Sequence, residues 1–223
     1  MPDANDVAGA LAAALRELVA LSPPCWWTEH DAALAVVTGI PAAPNNGVVA
    51  HGLDVDPAMV ELALDEVAAT GLPHSLQVRP GMVGTAAAVA ERRAMRRGDD
   101  VPLMAVPDID AVAAPEMPRE LSIRTLGPDE AGVHAEVAGA GFGAPVEFFL
   151  PLLTPQVMAE EGIRVYVGEL AGEPVVTAIG TTRDGNVGIH NVTTLPSHRR
   201  RGYGAALTAH AVTAARAHGA RWA

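Results

Sequence analysis

The segment Leu195–Leu207, LPSHRRRGYGAAL, places three consecutive arginines and two glycines directly ahead of an alanine-rich run. In the first turn of a helix the backbone N–H groups have no internal partner, and the helix dipole adds partial positive charge there. A glycine-rich turn that enters such a helix can bind phosphate, because its backbone approaches the ligand closely. Arg199, Arg200 and Arg201 can add charge-assisted hydrogen bonds to phosphate oxygens. The sequence therefore predicts a phosphate-binding loop between a strand and a helix.

Two common phosphate-binding motifs do not fit this loop. A P-loop ends in Lys followed by Ser or Thr, and the chain contains no lysine. A dinucleotide-binding fingerprint needs a third glycine where this chain has Leu207. A second glycine-rich stretch, GAGFGA at 139–144, follows a helical pattern instead of a strand, and its spacing predicts a flexible connection between two helices.

The stretch RRRGYGA resembles the R/Q-x-x-G-x-G/A signature of the GCN5-related N-acetyltransferase (GNAT) family, with Arg199, Gly202 and Gly204 at the defining positions. Residues 120–223 are also similar to the family in their predicted order. That order is a strand, two helices, a three-strand meander, the loop, a long helix and the start of a further strand. The resemblance implies an α/β (α+β) fold with a mixed, mostly antiparallel sheet flanked by helices.

The resemblance implies an acyl-CoA donor, with acetyl-CoA as co-substrate and no metal. It implies N-acyl transfer, in which an acceptor amine attacks the thioester directly in a ternary complex. Val192, Thr193 and Thr194 correspond to the strand positions whose backbone pairs with pantetheine. The pyrophosphate cradle corresponds to seven consecutive residues: Arg199, Arg200, Arg201, Gly202, Tyr203, Gly204 and Ala205.

This reaction needs a base for the amine, a donor to the developing oxyanion and an acid for the leaving thiolate. The resemblance assigns the oxyanion donor to the backbone N–H of Val192, and it places the family's frequent glutamate base at Gly188. By strand alternation His190 lies on the same face as Gly188, and an imidazole titrates near neutral pH. His190 is therefore the first candidate base. Glu169 and Tyr166, on an earlier strand, are further candidates.

No residue matches the family's pattern for the acid. In many relatives a tyrosine on the helix after the fifth strand supplies the proton, but this sequence ends at Ala223, four residues into that strand. Tyr203 lies in the phosphate loop, at the wrong end of CoA. We expect the natural chain to continue past Ala223. Otherwise a partner segment, or a second copy in a homodimer, would cover an exposed sheet edge.

The N-terminal half is predicted to form a separate lobe, residues 1–110, ahead of an acyl-CoA-binding lobe at 120–223; the stretch 106–121, with its three prolines, is the predicted linker. Apolar spacing predicts helices over 5–21, 57–70 and 83–97. Alternation predicts strands over 33–38, 47–53, 75–80 and 101–108. This order resembles a degenerate copy of the GNAT fold. HGLDVDP stands where the signature would be, and its acids would repel a pyrophosphate, so we predict a non-catalytic lobe.

Composition limits the possible partners. The net charge of −11 argues against nucleic-acid binding. It favours a cationic acceptor, which the negative charge would attract over long range. No apolar run approaches the ~20 residues of a membrane span, and the N-terminus lacks the basic region of a signal peptide. A single cysteine, Cys25, excludes an internal disulfide. The absence of lysine beside abundant Ala, Val and Gly is typical of a GC-rich bacterial genome. We therefore predict a cytoplasmic bacterial protein that acts on a small-molecule or peptide amine.

Two functions remain open at this point. One is an acyl-CoA-dependent N-acyltransferase, which is our prediction. The other is a non-catalytic acyl-CoA-binding sensor or scaffold. The intact loop is compatible with both, and the missing glutamate and tyrosine favour the second.

Overall fold

The computed structural model describes residues 1–112 and 117–223 and divides into two compact units, Pro2–Met104 and Ala105–Ala223. Within these residues each unit has one four-stranded sheet, flanked by helices. The predicted α/β (α+β) class with mostly antiparallel sheets is confirmed. The predicted linker includes residues 113–116, which lie outside the described residues. No helix among the described residues is long and apolar enough to cross a membrane.

The first unit opens with a helix whose start is capped by two aspartates. Asp3 accepts hydrogen bonds from the N–H groups of Asn5 and Asp6, and Asp6 accepts one from the N–H of Asp3. The helices of this unit are α1 (Ala4–Ala20), α2 (Pro57–Ala68) and α3 (Val83–Arg92). Its strands are β1 (Trp26–His30), β2 (Ala33–Val37), β3 (Asn46–Ala50) and β4 (Ser75–Val78).

The sheet of the first unit is an antiparallel meander of β1, β2 and β3, and β4 pairs in parallel with β3 after α2. Val60, Leu64 and Val67 of α2 lie in the buried core with residues of β2 and β3. The sequence patterns do not predict β1, because WWTEH lacks apolar–polar alternation. The predicted strand over 101–108 is wrong, since those residues form no strand, and the predicted helix over 83–97 ends earlier, at Arg92.

The second unit is built on an antiparallel sheet whose strands are neighbours in chain order. Its elements are β5 (Leu121–Thr125), α4 (Ala131–Phe142), α5 (Pro155–Ala159), β6 (Ile163–Leu170), β7 (Glu173–Arg183), β8 (Asn186–Thr194) and α6 (Tyr203–Ala214). Two-residue loops join β6 to β7 and β7 to β8. Ala171, Gly172, Asp184 and Gly185 in these loops all have positive φ, which is the geometry of a type I′ turn.

Helix α4 includes most of GAGFGA, which the spacing predicts to be a flexible connection. Gly139 and Gly141 lie inside the helix, and Gly143, with a φ of 69°, ends it. A Cβ on Gly141 would lie 2.2 Å from Oγ1 of Thr193, so the missing side chain lets α4 approach β8 closely. The prediction of a flexible connection is wrong, because Gly139 and Gly141 serve close packing inside the helix.

Residues 221–223 are paired on two sides within the second unit. Trp222 forms a parallel bridge to the start of β8. On the other side Val106 and Ala223 exchange two N–H···O hydrogen bonds, of 2.7 and 2.9 Å. Ile109 is buried in the same cluster as Val212 of α6. The segment 106–109 therefore lies at the sheet edge that the sequence pattern predicted to be exposed.

Candidate active site

The predicted phosphate loop lies between β8 and α6. A short 3₁₀ turn, Pro196–His198, follows β8, and α6 begins directly after Gly202. Gly202 has a φ of 83° and provides no side-chain hydrogen bond to the helix start. The N–H groups in the first turn of α6 are therefore available to an anionic ligand, which the helix dipole also favours.

The signature arginine, Arg199, is bound to the protein itself. Its Nε donates to the backbone carbonyl of Thr194 at 3.2 Å, and its Nη2 donates to the carbonyl of Gly141. Gly141 lies in the last turn of α4, where the carbonyls lack helical partners and a cation is favourable. Arg199 therefore joins the end of β8 to the end of α4.

The other two arginines of the loop are exposed. Arg200 has a φ of 60°, an unusual conformation for a residue with a side chain. Arg201 directly precedes Gly202, the residue before α6. A surface pocket is lined by Pro196, Ser197, Arg199, Arg200 and Arg201. Positive charge therefore surrounds the open side of the loop.

Strand β8 contains a bulge shortly before the loop. The pairing register shifts between Thr177 and Ile179 of β7, so Asn191 and Val192 together oppose one residue of β7. Asn191 has a φ of 50°. On the side of β8 away from β7, the described residues form only the Trp222 bridge, at the far end of the strand. On that side the described residues therefore give residues 192–194, predicted to pair with pantetheine, no strand partner, while the carbonyl of Thr194 accepts from Nε of Arg199.

His190 lies next to the position that the family resemblance gives to the base. Its Nε2 is 3.2 Å from Oγ1 of Thr181. A Cβ on Gly188 would lie 2.7 Å from the same nitrogen, so the imidazole occupies space that a side chain at 188 would need. Burial lowers the pKa of His190, so the ring is neutral at pH 7 and can accept a proton.

Glu169 and Tyr166 are engaged elsewhere. The Oε1 of Glu169 accepts a hydrogen bond from Nε of Arg124 at 2.9 Å. Tyr166 faces α6, where its ring meets the ring of His210 edge-on, with centroids 5.5 Å apart. Burial raises the pKa of Tyr166. His190 contacts Thr181 on the opposite face of the sheet, so the structure does not bring Tyr166 and His190 together.

Tyr203 is the first residue of α6, and its hydroxyl points away from the base candidate. The hydroxyl donates to Oε1 of Glu120 at 2.9 Å, and this hydrogen bond raises the pKa of Tyr203. The chain has two tyrosines, and neither lies where it could act together with His190. Sequence patterns did not point to Glu120, because its partner is 83 residues away.

A second buried histidine, His134, lies in α4 and was not predicted. The Thr177 hydroxyl donates to the carbonyl of Tyr166, so it accepts the proton of His134 Nδ1, 2.7 Å away. The Nε2 of His134 is buried without a hydrogen-bond partner among the described residues, and desolvation lowers the pKa of the ring to about 4. Among the described residues, neither histidine is part of a group of three or more His, Cys, Asp or Glu side chains that could hold a metal ion.

Strand β8, the loop and α6 lie in a region that matches a known protein family. Residues 141–223 match the model of the acetyltransferase (GNAT) family. The chain is also similar to a GCN5-related N-acetyltransferase from Kribbella flavida, with 25% identity, a TM-score of 0.69, and coverage of 100% of this chain and 84% of that one. Residues 141–223 of the second unit therefore correspond to a GNAT acetyltransferase domain, as the sequence resemblance predicted.

Other solved structures match a smaller part of the chain. An aminoglycoside acetyltransferase from an uncultured soil metagenomic sample is 18% identical, with a TM-score of 0.40, and covers 45% of this chain and 74% of its own. A GCN5-related N-acetyltransferase from Ralstonia eutropha JMP134 is 21% identical, with a TM-score of 0.36, and covers 45% and 79%. The sequence matches no curated protein at a significant level.

Proposed function

We propose that the protein transfers an acetyl group from acetyl-CoA to an amine, by direct attack on the thioester in a ternary complex. The observation that carries the proposal is the junction of β8 and α6. There an open strand edge leads to a helix start without a side-chain cap and to a pocket lined by three arginines. Extended pantetheine suits the strand edge, and the diphosphate suits the amides and guanidinium groups.

The first unit supports this assignment by contrast. There the helix that follows a strand, α2, is capped by Asp56, whose Oδ1 accepts the N–H of Ala58 at 2.8 Å. A carboxylate already occupies the place of an anionic ligand, whereas the equivalent residue before α6 is Gly202. We propose that the first unit is a non-catalytic copy of the second. Its antiparallel meander, following helix and parallel strand come in the same order as the corresponding elements of the second unit.

In the proposed mechanism the backbone N–H of Val192, at the bulge, polarises the thioester carbonyl. His190 accepts the proton of the attacking amine, directly or through water, as the C–N bond forms and the C–S bond breaks. Because burial keeps the imidazole neutral, His190 acts as a base at pH 7. The leaving thiolate is protonated by a group other than Tyr166 and Tyr203, since both are engaged elsewhere.

The charge of the neighbouring segment favours a cationic acceptor. Residues 125–163 contain six acidic residues and no lysine or arginine. Directly after Gly141, which packs on Thr193, the half-exposed ring of Phe142 stacks on Phe149 with centroids 5.8 Å apart. We propose an amine with an apolar or aromatic body, which these two rings would contact.

Donor binding is tested by Gly202→Val. A Cβ on Gly202 would meet no atom within 4 Å, so the substitution acts through the strained left-handed backbone and not through crowding. We expect the calorimetric Kd for acetyl-CoA to rise about tenfold. Gly132→Val is the matched control, because a Cβ there also meets no neighbour and φ is not positive. Unchanged affinity in a folded Gly202→Val protein would contradict the assignment.

Turnover is tested by release of free CoA from acetyl-CoA across a panel of amines. We expect the fastest release with apolar and aromatic primary amines, and little release with acidic ones. Binding of acetyl-CoA without acetylation of any amine would contradict transfer and favour an acyl-CoA sensor.

A further inference from the structure

Glu120 and Tyr203 connect the residue before β5 to the first residue of α6. The Tyr203 ring is 2% exposed and packs in the core cluster that contains Leu121 and Leu207. Its hydroxyl reaches Oε1 of Glu120 at 2.9 Å. Because Tyr203 belongs to the first helical turn, its side chain fixes the N–H groups that face the proposed diphosphate. Glu120 in turn fixes the hydroxyl.

Arg201 completes this cluster. It lies two residues before Tyr203 on the exposed loop, where its positive charge attracts the carboxylate of Glu120. The pKa of Glu120 is lowered by a hydrogen bond from its own backbone N–H and then by the one from Tyr203. Glu120 is therefore ionised at neutral pH, and a negative charge lies beside a loop that would bind a diphosphate.

We propose that Glu120 is a positioning residue with two opposite effects on CoA binding, an inference that rests on the proposed donor. Through Tyr203 it holds the helix start, which strengthens binding. Through its charge it competes with the diphosphate for Arg201, which weakens binding and favours release of the product. Arg199 takes no part in this exchange, because its guanidinium is bound to backbone carbonyls.

Two substitutions in the full chain separate these effects. Glu120→Gln keeps an oxygen that accepts from Tyr203 and removes the charge, so calorimetry should give a Kd for CoA about two- to fivefold lower. Tyr203→Phe keeps the buried ring and the carboxylate but removes the hydroxyl, so the Kd should be about two- to tenfold higher. The gain in Glu120→Gln should diminish in high salt, which screens exposed charges.

S-acetylpantetheine, which lacks the diphosphate, provides the control donor. Glu120→Gln should leave its KM unchanged, because there is no phosphate to compete for Arg201. If Glu120→Gln weakens CoA binding, or alters both donors equally, Glu120 has a structural role only and the inference is wrong. If the unaltered chain binds no CoA, the proposed donor is wrong and the inference falls with it. If the unaltered chain binds CoA and Glu120→Gln matches it, only the inference is wrong.

Discussion

Acidification should destabilise the second unit through His134, which is buried between α4 and β7. In the folded chain the pKa of this imidazole falls from its ordinary value of 6.5 to about 4, because burial removes solvent from the charged form. Between these two values the unfolded chain binds more protons than the folded chain. The contribution of His134 is therefore complete above pH ~6.5 and is lost as the pH falls toward ~4. The difference in pKa corresponds to about 3 kcal/mol of unfolding free energy.

Urea unfolding followed by the fluorescence of Trp222 measures this loss, because Trp222 is the tryptophan of the second unit. Both proteins in this experiment, the parent and the His134→Leu variant, carry the substitutions Trp26→Phe and Trp27→Phe, so that Trp222 is the tryptophan that reports unfolding. His134→Leu removes the titrating ring, and the hydroxyl of Thr177 keeps its hydrogen bond to β6. Between pH 7 and pH 4, His134→Leu should lose about 3 kcal/mol less stability than the parent.

The difference between parent and variant isolates His134 from other groups. Burial also lowers the pKa of His190 and His210, but both residues are present in the two proteins. An NMR titration of the folded parent gives a direct check, with the His134 ring neutral down to about pH 4. If His134 titrates near its ordinary value, or if both proteins lose the same stability, burial does not control its protonation.

Three further outcomes are expected. His190→Ala should lower kcat about a hundredfold while leaving the Kd for acetyl-CoA nearly unchanged. Because burial lowers the pKa of His190, the activity of the parent should fall at a lower pH than an ordinary histidine would give. Identical pH–rate profiles for the parent and the variant would show that His190 is not the base. Arg199→Ala should lower the melting temperature more than Arg200→Ala, because only the first breaks the link between α4 and β8; equal melting would show that the link contributes no stability. Ile109→Ala should cost about 2–4 kcal/mol in urea unfolding, and a negligible loss would mean that Ile109 is not packed in solution.

Local patterns were sufficient for much of the second unit. The predicted three-strand meander is present, and Asp184 and Gly185 adopt the positive φ that the tight turn between its last two strands needs. Arg199 and Gly202 lie between a strand and a helix, as predicted, because the end of the strand and the start of the helix are both encoded nearby. Their roles in donor binding remain predictions.

Features that depend on distant residues were not predictable. Alternation over 101–108 suggested a strand, but among the described residues the backbone of Val106 pairs only with Ala223. Glycines inside α4 suggested flexibility, because nothing local reveals that Gly141 packs on Thr193. In each case the deciding contact lies far along the chain, where sequence periodicity carries no information about it.

The hydrogen bonds between Val106 and Ala223 span nearly the whole second unit, so this contact has a high sequence separation. Such contacts slow folding, because the intervening chain must first be ordered. During synthesis, residues 106–109 leave the ribosome long before residues 221–223 are made. Until then the side chain of Ile109 is exposed, because the residues that bury it have not been synthesised. In that interval the unpaired segment is open to chaperones and to other nascent chains. Slower translation of the codons before residue 221 should therefore increase aggregation of newly made protein.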